Sequence, residues 1–254
     1  MKLRSLGCAG GIGGELRTTS FLIDHDILID AGTGLGELSL AELVSVDHVF
    51  ITHAHLDHIA CLPLMVDSVA RQRQTALTIY ATEAVIATLK GHIFNWAIWP
   101  DFTQIPDPRS AFMRYQPITV GTPVILAGRS IKPIHAEHVV PAVGYHLQSG
   151  AGSLVFSGDT TSFDAFWAYL NSIEDLRYLL IETAFQEEEK DIAIVSKHFY
   201  PSLLAAGLAK LKRPVETFVT HLKPGDEDAI MHEIEQWVKG DVPLVLPNNH
   251  ILEF

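Results

Sequence analysis

The spacing of apolar and polar residues predicts two successive runs of strands and helices along the chain. A first strand is expected around Leu3, Leu6 and Cys8. The first run then comprises a hairpin of strands at 20–25 and 26–32, a helix over 38–46, a strand over 47–53, a helix from Ile59 to about Gln74, a strand over 77–82 and a helix over 83–93. Residues 94–112 are rich in aromatic residues and proline and are expected to be irregular.

The second run begins with several strands that have little helix between them. Strands are predicted at 113–118, 123–128, 130–137, 143–149, 153–160, 178–184, 217–221 and 244–248, and helices at 163–173, 201–211 and 226–238. The acidic run at 187–190 is expected to be a solvated loop. Because each half combines strands with helices and no linker divides them, we expect one domain over residues 1–254. Its predicted architecture is α/β (α+β), with two packed sheets between outer helices in a four-layer αββα sandwich.

Composition narrows the classes of function. The 254 residues carry a formal net charge of −12, and their 18 Lys and Arg residues are scattered, which argues against a binder of polymeric nucleic acid. Small anionic substrates stay possible because bound metal ions would reverse the local field. No apolar run is long enough to span a membrane or to resemble a signal peptide, so we expect a cytoplasmic protein in which Cys8 and Cys61 are free thiols.

The segment from Thr52 to His58, THAHLDH, is the strongest chemical signal in the sequence. Alternate side chains of an extended segment point the same way, so His53 and His55 can coordinate one ion together. The chain then turns, which lets Asp57 and His58 face a second ion. Imidazole and carboxylate together suit Zn²⁺, Fe²⁺ or Mn²⁺.

Two ions need further ligands, which the ends of later strands can supply. His138, Asp159 and His221 each follow a predicted strand among apolar neighbours, and the two oxygens of Asp159 suit a bridge between ions. His198 precedes a predicted helix and is a candidate general acid. The Gly-rich stretch at 10–14 is expected to be a turn that passes close to the metals.

This series of ligands resembles the metallo-β-lactamase-fold superfamily over nearly the whole chain, including LIDAG at 28–32. The resemblance implies a metallo-β-lactamase-like sandwich and two divalent ions, Zn²⁺ first with Mn²⁺ or Fe²⁺ as alternatives. It also implies two sets of ligands that share Asp159: His53, His55 and His138 for one ion, and Asp57, His58 and His221 for the other. Asp57 would thus belong to both the metal-binding and the catalytic groups.

Finer details are similar to the class II 3′,5′-cyclic-nucleotide phosphodiesterases. They are HAHLDHIACLPLMVDS, the opening LGCAGGIGG…TTSFLI, HIFNWAIWPDF at 92–102, EHVVPAVGY, and IETAF followed by SKHFYP. The resemblance implies hydrolysis of cAMP or cGMP to the 5′-nucleotide through a metal-bridging hydroxide, with His198 as an extra catalytic histidine. Two departures from the family pattern are Ala60-Cys61 and Lys197, where glycine is common.

The aromatic segment offers candidate contacts for the substrate. Faces for stacking a purine are available on Phe94, Trp96, Trp99 and Phe102, and our candidate substrate-binding residues are Phe94, Asn95 and Trp99. The same side chains suit core packing or contact with a second copy, so a homodimer is one expectation.

Other functions remain open at this point. A tRNA 3′-processing endonuclease of the same superfamily also has a histidine like His198, but the net charge of −12 and the absence of a visible basic insertion disfavour it. A lactonase, a thioesterase, and a non-catalytic metalloprotein that binds cyclic nucleotide are further alternatives.

Overall fold

A computed structural model describes residues 1–254 and contains fourteen strands. They are β1 (Lys2–Gly7), β2 (Ser20–Ile23), β3 (Ile27–Ile29), β4 (His48–Phe50), β5 (Leu77–Ala81), β6 (Met113–Pro117), β7 (Val124–Leu126), β8 (Arg129–His135), β9 (Val143–Gln148), β10 (Ser153–Phe156), β11 (Leu176–Glu182), β12 (Glu216–Thr220), β13 (Leu244–Val245) and β14 (Ile251–Glu253).

Eight α-helices accompany the strands: α1 (Leu40–Ser45), α2 (Leu56–Ile59), α3 (Leu62–Val69), α4 (Glu83–Thr88), α5 (Asp164–Ser172), α6 (Lys190–Ser196), α7 (Pro201–Leu208) and α8 (Glu227–Trp237). Local sequence explains where several of them begin. Ser39 caps α1 in a reciprocal box with Glu42, and the Thr82 side chain accepts from the first turn of α4. No helix is both long enough and apolar enough to cross a membrane.

The strands form two seven-stranded mixed sheets with matching patterns. The first has the order β14-β1-β2-β3-β4-β5-β6 and the second the order β13-β12-β11-β10-β9-β8-β7. In each sheet one half consists of three antiparallel pairs and the other half of three parallel pairs. The inner parallel strands β3, β5 and β10 are buried along their whole length because both of their faces are covered.

Three layers of buried side chains separate the four layers of the fold. One apolar cluster lies between the first sheet and helices that include α3 and α4, and another lies between the second sheet and α5, α7 and α8. The third cluster joins the two sheets face to face, with Phe21 packed on Phe156 and Phe50 packed on Tyr145. This arrangement confirms the predicted αββα sandwich.

The helix predicted from Ile59 to Gln74 is wrong in detail. The chain forms α2, breaks, and continues as α3 and a 3₁₀ turn over Ala70–Gln72. Pro63 lies at the start of α3, where it lacks an N–H for the preceding turn, and the Cys61 N–H bonds to the Ala31 carbonyl. The break lets α2 turn its first residues toward the site while α3 packs on the core.

Two further expectations need correction near the end of the chain. The acidic run predicted as a loop forms a 3₁₀ turn over Glu187–Glu189 that leads directly into α6. The strand predicted over 244–248 is only β13, and a separate strand, β14, returns to pair with β1 at the edge of the first sheet. Polar turn residues between β13 and β14 obscured this last strand in the sequence.

Candidate metal centre

The motif histidines and aspartate lie on the turn that joins β4 to α2. His53 and His55 are in the extended segment after β4, and His55 is the residue that caps α2. Asp57 and His58 lie in the first turn of that helix. The motif therefore changes direction between its two halves, as the sequence predicted.

Later strands bring the other candidates to the same edge of the sandwich. His221 directly follows β12, while His138 and Asp159 come three residues after the ends of β8 and β10. The seven side chains form two groups whose ligand atoms lie within 4.8 Å of one another and which share Asp159: His53, His55, His138 and Asp159 in one, and Asp57, His58, Asp159 and His221 in the other.

The carboxylate of Asp159 lies between the two groups. Its Oδ2 atom is 3.7 Å from His53 Nε2, and its Oδ1 atom is 3.3 Å from His58 Nε2 and 3.4 Å from His221 Nδ1. Asp57 lies on the open side, with Oδ2 3.8 Å from His221 Nε2. Its side chain is 27% exposed, whereas Asp159 is buried.

The chemistry of this donor set fits divalent ions. Four buried side-chain atoms of the cluster have no hydrogen-bond partner: His53 Nε2, His58 Nε2, Asp159 Oδ1 and His221 Nδ1. A buried polar atom without a partner costs about 1–3 kcal/mol, so a cluster of them is expected only where another group satisfies them. Imidazole nitrogens and carboxylate oxygens facing one another at these distances are suited to hold metal ions.

The protonation of the ligand histidines supports the same conclusion. Burial lowers the pKa of His138 to about 4 and that of His221 to about 3, and it lowers the pKa of His53 well below its ordinary value. Neutral imidazole, with a free lone pair, is the form that binds metal. These three ligands are therefore ready for metal at neutral pH without losing a proton.

A second layer of polar residues orients His58. Burial opposes a charge on His58, but the carboxylates of Asp159 and Asp30 outweigh it and raise its pKa. Asp30 Oδ2 lies 2.7 Å from His58 Nδ1, and Asp30 also accepts from the backbone N–H and the hydroxyl of Thr52. The Asp30 contact directs His58 Nε2 toward the centre, which is how carboxylates commonly orient metal-binding histidines.

The side chain of His198 packs against the ligand histidines. Its ring lies 4.9 Å from the His138 ring and is stacked 5.2 Å from the His221 ring, centroid to centroid. His198 Nδ1 is 2.8 Å from Oε1 of the buried Glu182, which also accepts from the backbone N–H groups of Thr160 and Phe199. Burial alone would lower the pKa of His198, but the charge and hydrogen bond of Glu182 outweigh burial and raise it.

The departure at Lys197 has a structural consequence beside His198. Lys197 ends α6 in the left-handed conformation with φ of 57°, a region that glycine enters without strain. Its carbonyl lies 3.5 Å from His138 Nδ1. The turn therefore directs both a backbone acceptor and the following His198 side chain toward the site.

Sequence analysis missed Asp30 and Glu182 as parts of the site. Both are buried acids at the ends of apolar strand segments, in LIDAG and IETAF. A charged residue that ends a strand otherwise made of apolar residues was the available signal, because such a residue is rarely buried without a partner.

The aromatic segment differs from expectation. Phe94 is 2% exposed and packs in the outer core of the first sheet, so its ring has no free face for a base. The Asn95 amide accepts from the backbone N–H groups of Ala97 and Ile98, and Trp99 is partly buried against the same core. Trp96 is the exposed aromatic residue of this turn. The structure thus gives Phe94, Asn95 and Trp99 roles in shaping the segment.

The other histidines near His138 in the sequence lie apart from the ligands. His146 faces α5, where its Nδ1 atom is 2.8 Å from the Tyr169 hydroxyl, and His135 is exposed beside Phe163. Neither of these two histidines makes a hydrogen bond to a member of the two ligand groups.

Comparison with known proteins places this geometry in a family. A family model described as the β-lactamase superfamily domain matches residues 25–222, a range that includes all seven candidate ligands. The chain belongs to the β-lactamase superfamily. This match, together with the similarity in structure to a metallo-β-lactamase fold protein of Bacillus subtilis, confirms the superfamily that the sequence motif resembled.

Relatives of this β-lactamase superfamily domain include both nucleases and cyclic-nucleotide phosphodiesterases. The endoribonuclease ysh1 of Schizosaccharomyces pombe is 27% identical over 163 residues, 59% of this chain and 21% of that protein. A probable 3′,5′-cyclic-nucleotide phosphodiesterase of Yersinia pestis is 24% identical over 225 residues, 76% of this chain and 63% of that protein. The chain thus spans less than two thirds of either relative.

Solved structures support the fold of this β-lactamase superfamily domain. The crystal structure of unliganded yeast PDE1 superposes with a TM-score of 0.82 over 100% of this chain and 99% of that chain, at 20% identity. Together with the family match, these structures show a metallo-β-lactamase fold, and the donor set of this chain could hold metal ions.

Proposed function

We propose that the chain is a two-metal phosphodiesterase that hydrolyses 3′,5′-cyclic nucleotides, cAMP or cGMP, to 5′-nucleotides. The observation that carries this proposal is the position of the His198–Glu182 pair directly against two groups of ligands that share Asp159. A metal cluster alone fits many hydrolases. A buried acid–imidazole pair beside it adds a proton donor for a leaving alkoxide.

The proposed cofactors are two divalent ions, Zn²⁺ by preference and Mn²⁺ or Fe²⁺ as alternatives. His53, His55 and His138 would hold one ion and Asp57, His58 and His221 the other, with Asp159 between them. When bound, such a pair lowers the pKa of water and stabilises the entering and leaving oxygens of a displacement at phosphorus.

His198 is proposed to act on the leaving group. Because Glu182 binds its Nδ1 atom, Nε2 is the nitrogen that can give a proton to the departing 3′-oxygen. The raised pKa of His198 keeps that proton available near neutral pH, although bound cations would oppose it. Asp57 and His55 are the two partly exposed candidate ligands, and they lie on the side from which a substrate would enter.

Two features support a small substrate over a tRNA. The net charge of −12 disfavours the phosphate backbone of a polymer. In addition, the aliphatic side chains of Leu56 and Val139, which adjoin candidate ligands in the sequence, are 67% and 50% exposed. Such side chains suit the apolar faces of a nucleobase rather than a ribose-phosphate chain. The Yersinia phosphodiesterase, which aligns with 76% of this chain, is consistent with this choice.

A turnover panel tests the proposal. The purified chain, reconstituted with Zn²⁺, Mn²⁺ or Fe²⁺, is incubated with cAMP, cGMP and a 3′-extended tRNA, and products are separated by chromatography. We expect 5′-nucleotide from a cyclic nucleotide and no tRNA cleavage. Cleavage of the tRNA alone would establish the endonuclease alternative. The similarity to the endoribonuclease ysh1 is the reason for including this substrate. Tight binding of cyclic nucleotide without turnover would establish a non-catalytic metalloprotein.

A further inference from the structure

The structure places a lysine beside the candidate metal centre that the proposed mechanism does not use. Lys223 follows the ligand His221 by two residues and is half-buried. Its ammonium donates to the Gly10 carbonyl over 3.1 Å and lies 5.8 Å from the centroid of the Phe185 ring. A backbone carbonyl and an aromatic face together hold the position of this charge without neutralising it.

Both partners of Lys223 are themselves fixed against site residues. The Phe185 ring meets the His198 ring edge to face at 5.7 Å. Gly10 lies so close to His221 that an added Cβ atom would be 2.5 Å from the His221 carbonyl oxygen. A larger residue at position 10 would push this loop away, so the glycine is what allows the loop to reach Lys223. The ammonium is thus tied to the side of the site formed by His198 and His221.

The charge balance of the site explains why an additional cation would help to bind an anionic substrate. Four carboxylates surround the centre: Asp30, Asp57, Asp159 and Glu182. Two divalent ions would about neutralise these four charges, so the protonated His198 proposed above would leave only a small net positive charge to attract an anion. A lysine acts as a point charge for phosphate oxygens, and attraction of this kind raises the local concentration of an anionic substrate.

We propose that Lys223 is a specificity-determining residue whose ammonium, held by Gly10 and Phe185, binds an anionic phosphoryl oxygen of the substrate beside His198. The assignment rests on the proposed phosphodiesterase function. It predicts selectivity for monoanionic phosphodiesters over neutral esters. The ammonium acts in binding and takes no part in proton transfer.

The test compares Lys223→Met, Lys223→Arg and Lys223→Gln with Lys239→Met, which removes an exposed lysine two residues beyond the end of α8. Each variant is loaded with Zn²⁺, its metal content is measured, and its affinity for inorganic phosphate is determined at low and high salt. KM and kcat for bis(4-nitrophenyl) phosphate, and for a neutral 4-nitrophenyl ester, are measured in parallel. The phosphate arm gives a result even if cyclic nucleotides are not substrates.

Lys223→Met and Lys223→Gln each lose a charge-assisted hydrogen bond to phosphate. The free energy of such a bond corresponds to about tenfold weaker phosphate binding. We also expect a similar rise in KM for the anionic substrate, a flatter salt dependence, and recovery of most of the affinity in Lys223→Arg. The assignment would be overturned if both uncharged variants bound phosphate with the same affinity and the same salt dependence as Lys239→Met, at equal metal content. It would also be overturned if the parent protein failed to bind phosphate. Failure of cyclic-nucleotide turnover alone would refute only the proposed function.

Discussion

Replacing Glu182 with Gln tests whether His198 works as part of a pair. The change keeps the shape of the side chain but removes its charge. In the native protein the carboxylate accepts from His198 Nδ1 and from two backbone N–H groups, all of them buried. A glutamine must present its amide nitrogen to one of these donors. We expect kcat to fall while the metal ligands, which do not contact Glu182, keep their ions.

The structure sets the size of this effect. A hydrogen bond to a charged group contributes about 1.5–3 kcal/mol, and each 1.36 kcal/mol is a factor of ten in rate, so kcat should fall about 10- to 100-fold. His198→Ala should cost more, about 10²–10⁴-fold, because the acid itself is removed. Without the carboxylate, burial dominates and lowers the pKa of His198. The alkaline limb of the pH–rate profile should therefore move to lower pH.

The assay is the pH dependence of kcat for Glu182→Gln, His198→Ala and the double variant, with metal content measured for each. Glu187→Gln is a matched control, because Glu187 accepts from the Ser202 N–H and hydroxyl but makes no contact with His198. Residues that act as one unit are non-additive, so the double variant should be no slower than His198→Ala. A kcat for Glu182→Gln within twofold of the native value, or effects that multiply in the double variant, would refute the pairing.

Four other predictions concern the metal centre and the scaffold. Asp159→Ala should lose both metal and activity; full retention of two ions by elemental analysis would contradict the bridging position. Asp30→Asn should weaken metal affinity about 10- to 100-fold in a chelator competition, since the group that orients His58 changes. Lys197→Gly should raise stability by about 1 kcal/mol, seen as a higher Tm, because it relieves the left-handed φ of 57°, whereas Lys197→Ala should give no such gain. Arg129→Met should cost about 1 kcal/mol at pH 7 in urea unfolding. The hydrogen bond and charge of Arg129 lower the pKa of Asp26, so this contribution is present above the ordinary aspartate pKa and is lost as pH falls through the lowered value. A cost that does not decrease as the pH is lowered below the ordinary aspartate pKa would contradict it.

The sequence was sufficient to predict which candidate ligands the fold brings together, and to predict the layers of the fold, for a physical reason. A histidine or aspartate that follows a strand is conspicuous where its neighbours in the sequence are apolar. His138, Asp159 and His221 could be found in this way, and the structure brings all three to the motif at the end of β4. The αββα order followed from the same alternation of apolar runs with helical spacing.

Expectations failed where tertiary contacts decide the outcome. Periodicity alone did not reveal the break between α2 and α3, because the Cys61 N–H bonds to Ala31, a residue distant in the sequence. Aromatic character did not separate a stacking residue from a core residue, and burial places Phe94 in the core. The strand β14 is three residues long and is stabilised by pairing with β1 at the other end of the chain, which no local pattern encodes.

Asp30 and Glu182 show why a site is harder to predict than its ligands. Each is an acid whose partner lies far away in the sequence: Asp30 with His58, and Glu182 with His198. Burying either carboxylate alone would be costly, so each can persist only because the fold supplies an imidazole and backbone N–H donors. Asp30 directly follows β3 of the first sheet, whereas Glu182 ends β11 of the second sheet. The face-to-face packing of the sheets therefore does more than build a core, because it fixes the orientation of one ligand from one sheet and of the proposed acid from the other.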